Sequence, residues 1–470
     1  MGMISWFWIL SAVFIGVLVL VSTKAIKTSK DVDDFMLAGS SVGGLLGTLT
    51  YAAALFSAFI FIGVPDFFRV HGVGAWIFLP VADGIMFFMI FWFGYHLRKK
   101  VKEIGYKGTA GMMSDIFGNK WAGYVVFAAA FLFLIPYVSI QIRGISMFFI
   151  AIFPNALPLW GWALIIISMM LVYSQVGGLK SIVYSDAIQA VLLLTVLVII
   201  GYNSVQHFGD IKEMFVQVKQ TDPKLLSAPG PKGLFTPQFL FTSFLAIVLL
   251  PVSQPQFSSR IAIMKNMTET YKMATGVGIV AFFVFASTAL IGMYGSVVYP
   301  DSSTQEFVQN ALLFDQSNFL AALAVVGLFA AVLSTSNAQV FALGSEFRSL
   351  LHDTELANFR LAKIAMIFFG VIVFVTSISI GDELVLLARM SFAGTAMITP
   401  IVLVGVFSKQ KPGVEIIILS AIALVLFTLS LVNVVPEKMF GLRLDIVLMA
   451  VLFVTSVISV VLRKTMVKVS

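Results

Sequence analysis

The sequence predicts an all-α membrane protein of about thirteen transmembrane helices, and three observations lead there. The 470 residues are 59% hydrophobic and only 11% charged, where a soluble domain carries about 25% charge. Apolar runs of about 17–25 residues, the length that crosses a hydrocarbon core, recur along the whole chain. Of the 30 Lys and Arg residues, 21 fall in alternate connections and seven in the others, the asymmetry that marks cytoplasmic loops. The chain has no cysteine, which excludes disulfides, thiol chemistry and Cys-based metal sites. His71, His96, His207 and His352 show no metal-ligand spacing, and no nucleophile–base pair or phosphate loop suggests an enzyme. The net charge of +7 belongs to membrane-flanking loops rather than to a nucleic-acid surface.

Taken in order, the expected spans are 3–22, 44–64, 74–97, 121–153, 159–175, 184–203, 237–257, 274–298, 317–345, 360–380, 384–407, 413–432 and 444–462. The first apolar run lacks a basic leader and a small-residue cleavage site, so it reads as a retained helix. The fourth is long enough to tilt. The longest connection, 203–236, holds Asp222-Pro223 and Ala228-Pro229-Gly230-Pro231 and reads as an external loop with one amphipathic helix near 211–218. Basic loops place the N-terminus outside and the C-terminus in the cytoplasm, with the chain multi-pass in the plasma (inner) membrane. His96 then marks the cytoplasmic interface. The chain reads as one integral unit over 1–470.

Three segments interrupt the hydrocarbon. Ser334-Thr335-Ser336-Asn337 places four polar side chains inside an apolar span. Such hydroxyls either bond to the carbonyl one turn back or offer oxygen to a bare cation. The second span carries Leu49-Thr50-Tyr51-Ala52-Ala53-Ala54-Leu55-Phe56-Ser57-Ala58, a run of small residues with polar ones at both ends. The seventh carries Pro251-Val252-Ser253-Gln254-Pro255-Gln256-Phe257-Ser258-Ser259-Arg260. Proline removes a donor and frees a carbonyl one turn earlier, and in lipid that group needs another partner. With the first span set apart, the next ten divide into two fives, and the second and seventh each open one. Interrupted helices at equivalent places point to the binding site of an inverted-repeat transporter; the alternative is two ordinary kinks.

The run Gly177-Gly178-Leu179-Lys180-Ser181-Ile182-Val183-Tyr184-Ser185-Asp186-Ala187-Ile188-Gln189 resembles the signature of the sodium:solute symporter family. Asp34-Phe35-Met36-Leu37-Ala38-Gly39-Ser40-Ser41-Val42-Gly43 is similar to that family's approach to its first core helix. Ser253-Gln254-Pro255-Gln256 with Arg260, Ala330-Ala331-Val332-Leu333-Ser334-Thr335 and Ser391-Phe392-Ala393-Gly394 resemble its proline/pantothenate permease branch. The resemblance covers about 34–410. It implies an inverted five-plus-five repeat with broken first and sixth core helices, an accessory helix in 1–33 and extra helices in 411–470. It also implies a sodium ion (Na+) held by carbonyls of Ala53, Phe56 and Ala331 and hydroxyls of Ser334 and Thr335. Such largely neutral oxygens suit a monovalent cation, since a divalent site carries more carboxylates. Leu55 stands where the branch carries an acidic residue, which weakens sodium binding or leaves room for a proton. Asn337 and Ala338 replace the serines that hold a second sodium in some members, so one sodium is expected.

Ionisable residues within spans are functional hypotheses. Asp83 and Arg143 each lie about ten residues from the same membrane face on neighbouring helices, roughly 15 Å deep. Either they pair, or Arg143 engages a substrate carboxylate while Asp83 meets an amine or hydroxyl or carries a proton. Arg389 either snorkels or attracts an anion. Asp186 either pairs with Lys180 or Arg260 or serves an inner gate, the role the resemblance favours. Tyr51, Ser57, Ser253, Gln254 and Gln256 would line an otherwise apolar solute pocket, with Phe56, Phe257 and Phe392 as gates. The expected activity is sodium-driven symport of a small organic solute, carboxylate- or amino-acid-like, by alternating access. Sodium-coupled sugar symport, proton-coupled transport and a transporter-like membrane sensor are the alternatives. Partners are the solute, sodium and the lipid bilayer, with no nucleic acid; solute identity and oligomeric state stay open.

Overall fold

Hydrocarbon offers backbone N–H and C=O groups no partner, so the apolar runs must close their own hydrogen bonds as helices. The computed structural model describes residues 1–28, 38–351, 355–381 and 384–469. The Asp34-Phe35-Met36-Leu37 part of the family-like motif and His352 lie outside the described residues.

The helices are α1 (Met3–Thr28), α2 (Gly44–Leu55), α3 (Ala58–His71), α4 (Ala75–Ile104), α5 (Thr109–Phe117) and α6 (Lys120–Ile152). Then come α7 (Leu159–Gln175), α8 (Gly178–Gln206), α9 (Ile211–Thr221), α10 (Pro237–Val248) and α11 (Pro255–Ala262). They are followed by α12 (Met267–Val298), α13 (Thr304–Gln309), α14 (Asn318–Ser349), α15 (Glu355–Ser379) and α16 (Leu384–Ala396). The last are α17 (Thr399–Phe407), α18 (Val414–Leu431) and α19 (Leu444–Val469). The only sheet among the described residues is a hairpin of two-residue strands, β1 (Lys438–Met439) and β2 (Leu442–Arg443).

Among the described residues nine helices are long and apolar enough to cross a membrane, or eleven if each bent pair, α2/α3 and α16/α17, is one span. The shorter apolar helices α7 and α10 occupy the two remaining places where spans were expected. The predicted gap at 176–183 is not a loop: α7 and α8 run together through a sharp kink at Gly178 (φ 61°, ψ −177°). A positive φ suits glycine, which has no Cβ to clash. The external amphipathic helix expected near 211–218 is α9, capped by Asp210, whose carboxylate accepts from Glu213 N at 2.8 Å.

α14 is the most enclosed span, with 83% of its apolar window buried, and α1 the least at 17%. The centre of the bundle is therefore the polar-bearing helix. α1, packed on α7/α8 and α14, faces lipid. The basic loops gather at one end of the bundle, called here the basic end. There Val42 pairs in parallel with Met264, Val42 N donating to Ile263 O (3.3 Å) and Lys265 N to Val42 O (2.9 Å). The first N–H groups of α2 point at Glu269, which accepts from Gly44 N. Arg98 donates to the last carbonyls of α11, Ile261 O (3.3 Å) and Ala262 O (3.1 Å), where a cation complements the helix dipole.

Candidate ion and solute sites

The break between α2 and α3 starts at Phe56 (φ −96°, ψ 117°) and Ser57 (φ −129°, ψ −169°). Both are extended, so α2's last carbonyls lose their helical donors. Ser57 starts the second half by accepting from Phe59 N at 3.2 Å, the role serine favours at a helix start. The two halves differ in direction by 70°. α14 supplies what α2 lacks. Ser334 Oγ donates to Ala53 O (3.1 Å) and reaches Ala331 O (3.0 Å). Thr335 Oγ1 approaches Ala53 O (2.8 Å) and Phe56 O (3.3 Å).

All five oxygens proposed from the sequence thus converge at one buried point between two helices. The set holds no carboxylate, and among the described residues no group of three His, Cys, Asp or Glu side chains could hold a metal ion. Neutral oxygens in a dry pocket can shed a monovalent hard cation as readily as they take it up.

The second break follows from Pro255. Without an N–H it cannot serve the carbonyl of Pro251, and Ser258 Oγ donates there instead at 3.0 Å. Gln254 is extended (φ −114°, ψ 124°), and its Nε2 donates to Thr395 Oγ1 of α16 at 3.2 Å. Gln256 Nε2 donates to Gln254 Oε1 at 2.6 Å. Tyr51 stacks on Phe257, ring centres 4.9 Å apart. The structure therefore brings Tyr51, Gln254 and Gln256 to the junction of the two broken helices. Several groups here are buried with no protein partner: Tyr51 OH, Ser253 Oγ, Gln256 Oε1, Gln141 Oε1 and Asp83 Oδ1. Buried polar atoms need partners, so this cluster is built for a polar ligand or water.

Two residues at the cluster were not foreseen. Tyr137 of α6 holds its hydroxyl 3.4 Å from Ser57 Oγ and packs edge-on against Phe392, 5.1 Å away. Gln141 lies one turn on. With Gly144, whose Cα side faces Ile62 and Ala58, they form an i, i+4, i+7 face against α3. That polar and small face in an apolar helix was the signal available in the sequence.

Arg143 leaves from the far side of that face and donates to Ser377 O of α15 at 3.4 Å. Among the described residues it makes no ion pair with Asp83. Equal depth placed the two at one level, but helical rotation sends them to different neighbours. Asp83 is buried near the start of the long part of α4, with Oδ1 lacking a protein partner.

Asp186 resolves to one of its two expected partners. Arg260 Nη2 lies 2.8 Å from Asp186 Oδ2, both side chains 1% exposed. Thr50 Oγ1 donates to the same oxygen at 2.7 Å. Arg260 Nε reaches Thr50 O (3.1 Å) and Nη1 reaches Gln256 O (3.0 Å). The pair therefore knots α2, α8 and α11 on the basic side of both breaks. Arg389 neither snorkels nor stands ready for an anion. It is buried against Asp445 of α19 (2.9 Å) and donates to Ser243 Oγ (2.7 Å) and Thr242 Oγ1 (2.8 Å).

Glu346 also escaped the sequence reading. A carboxylate near its own helix's C-terminus is unfavourable, yet it is buried because Thr109 N (2.8 Å) and Ala110 N (2.6 Å), the first N–H groups of α5, point at it.

The sodium:solute symporter family model matches residues 35–412. The chain belongs to that family. It is 22% identical over 424 residues to the high-affinity proline transporter PutP of Bacillus subtilis, 84% of this chain and 85% of that one. It is 22% identical over 319 residues to the sodium/pantothenate symporter of Escherichia coli, 67% of this chain and 65% of that one. Its fold matches a Na+-coupled sialic acid symporter in a substrate-bound outward-open state, with a TM-score of 0.76 at 16% identity over 97% of this chain and 98% of that one. It also matches MhsT in complex with L-phenylalanine, with a TM-score of 0.55 at 14% identity over 89% and 98%. The fold is thus the inverted five-plus-five repeat, with α2/α3 and α10/α11 as its broken first and sixth core helices. This symporter is a multi-pass membrane transporter working by alternating access, with sodium as the co-transported ion of its family.

Proposed function

We propose that this symporter imports a small amino-acid-like solute, driven by one sodium ion bound by Ala53, Phe56, Ala331, Ser334 and Thr335. The observation that carries the reading is the convergence of those five oxygens from two helices of different repeats. An ion there draws α2 and α14 together and orders the broken segment that lines the solute pocket. The coupling is reciprocal, so solute also tightens sodium binding.

The solute class follows from the pocket. The N-terminal ends of α3 and α11 open at the breaks, and the positive end of each helix dipole suits a carboxylate there. Asp83, a buried carboxylate with no protein partner on Oδ1, suits the amine of the same molecule. Tyr51, Ser57, Tyr137, Ser253, Gln254 and Gln256 supply neutral contacts around it, with Phe392 as an outer gate and Asp186 with Arg260 as an inner one. Arg143, turned toward α15, has no part in this arrangement. The relatives include proline and pantothenate transporters, both of whose named solutes carry a carboxylate. The basic end faces the cytoplasm of a plasma-membrane protein, with the N-terminus outside.

The test is uptake of labelled neutral amino acids and pantothenate into sealed proteoliposomes under an inward sodium gradient. Uptake should collapse when choline replaces sodium at constant pH. Uptake that follows an imposed pH gradient in choline would instead favour proton coupling through Asp83 and overturn the sodium assignment.

A further inference from the structure

At the basic end, away from the central pocket, a cavity of about 680 Å³ opens between α4, α17 and α19. Its walls include Trp92, Phe407 and Phe453, and its mouth carries Lys409, Lys411 and Arg463. Trp92 stacks on Phe407 with ring centres 4.4 Å apart, and the His96 ring lies 4.1 Å from Phe407. Aromatic groups of this kind collect at the level of lipid headgroups, which fixes the mouth at the membrane–water boundary. From Arg463 inward to Phe453 is ten residues of α19. At 1.5 Å per residue that is about 15 Å, half of a hydrocarbon core of about 30 Å. The groove is one leaflet deep.

The charges at its mouth are unevenly matched. Arg463 is held by Glu415 at 3.2 Å, and Ser459 donates to the same carboxylate. Lys409 and Lys411 are exposed and have no acidic partner among the described residues, although Lys411 leans over the end of α5 at Gly118. Two cations without an acidic partner thus stand above an apolar furrow at headgroup level. We propose that this groove seats an anionic phospholipid of the surrounding leaflet, its phosphate at Lys409 and Lys411 and one acyl chain along Phe453. Basic pockets between spans recognise anionic headgroups in this way, and the solute and sodium sites take no part.

The experiment follows thermal unfolding of the purified full chain in neutral detergent micelles. Dioleoyl-phosphatidylglycerol, dioleoyl-phosphatidylcholine and chain-free glycerophosphoglycerol are each titrated. Phosphatidylglycerol should raise the midpoint saturably, phosphatidylcholine much less, and the chain-free headgroup not at all, because a ligand stabilises only the state it binds. The Lys409→Gln/Lys411→Gln variant should weaken the phosphatidylglycerol response about tenfold or more. Val460→Trp, which fills the groove and leaves both lysines, should abolish it. Equal responses to both lipids, a response to the headgroup alone, or a response that survives both variants would each overturn the proposal. None of these readouts depends on transport.

Discussion

Replacing Thr335 by valine preserves volume and removes one oxygen from the proposed sodium site. In the structure that hydroxyl lies 2.8 Å from Ala53 O and 3.3 Å from Phe56 O. Ser334 still reaches Ala53 at 3.1 Å after the change, so only Phe56 loses its donor. A neutral hydrogen bond is worth about 1 kcal/mol net, and a contact to a charged group about 1.5–3 kcal/mol. The variant therefore costs the ion-free protein about 1 kcal/mol and the ion-bound protein about 1.5–3 kcal/mol. Sodium affinity falls by the difference, about 0.5–2 kcal/mol, which raises the half-saturating sodium concentration about 2- to 30-fold. The assay is solute uptake in proteoliposomes against sodium, with choline holding ionic strength constant. A sodium titration of thermal stability runs in parallel. Ser336→Ala serves as control, since the Ser336 hydroxyl makes no contact with these carbonyls, and it should leave half-saturation unchanged. If Thr335→Val and Ser334→Ala both saturate at the wild-type sodium concentration, the ion does not sit between α2 and α14.

Arg260→Met strands the buried Asp186 carboxylate and should cost about 3–5 kcal/mol of stability, while the double variant Asp186→Leu/Arg260→Met should recover much of it. Equal melting of the single and double variants would show that the pair is not coupled. Asp83→Asn should raise the KM for an amino-acid solute at least tenfold while leaving sodium-dependent thermal stabilisation in place, because a charged contact is worth about 1.5–3 kcal/mol; equal losses in both readouts would point to a structural role. Glu346→Ala leaves the first N–H groups of α5 without their acceptor and should lower stability by about 1–3 kcal/mol, with proteolysis reporting whether the 105–118 segment loosens. At Gly394 an added Cβ would come 2.3 Å from Phe133 Cδ1. Gly394→Ala should therefore force α16 from α6 at about 1–3 kcal/mol, read as a lower unfolding midpoint.

What could be read from the sequence was whatever depends on depth and on local backbone chemistry. A polar run in hydrocarbon is costly wherever it occurs, so Ser334 and Thr335 announced themselves, and Pro255 announced a freed carbonyl at Pro251. The ends of most spans followed from the length of apolar runs. What escaped was azimuth and distant partnership. Depth alone put Asp83 and Arg143 at one level, and only rotation about α6 showed that Arg143 meets Ser377 while Tyr137 and Gln141 meet the pocket. Arg389 finds Asp445 on an added helix 56 positions along the chain, a pairing no local pattern encodes. Glu346 went unread because the α5 N–H groups that justify its burial come from a separate connection.

The clasp at Val42 and Met264 ties the basic end together. Any movement that parts the basic ends of α2 and α11 must break two backbone hydrogen bonds and free Gly44 N from Glu269. The two backbone bonds are worth roughly 1 kcal/mol net each and the contact to the Glu269 carboxylate about 1.5–3 kcal/mol, in addition to the Arg260 bonds to Thr50 that also tie α11 to α2. Collective helix motions run in microseconds to milliseconds, and a movement of this kind must release every one of these bonds together. The two main-chain bonds of this latch are indifferent to side-chain identity, whereas its third bond depends on the Glu269 carboxylate.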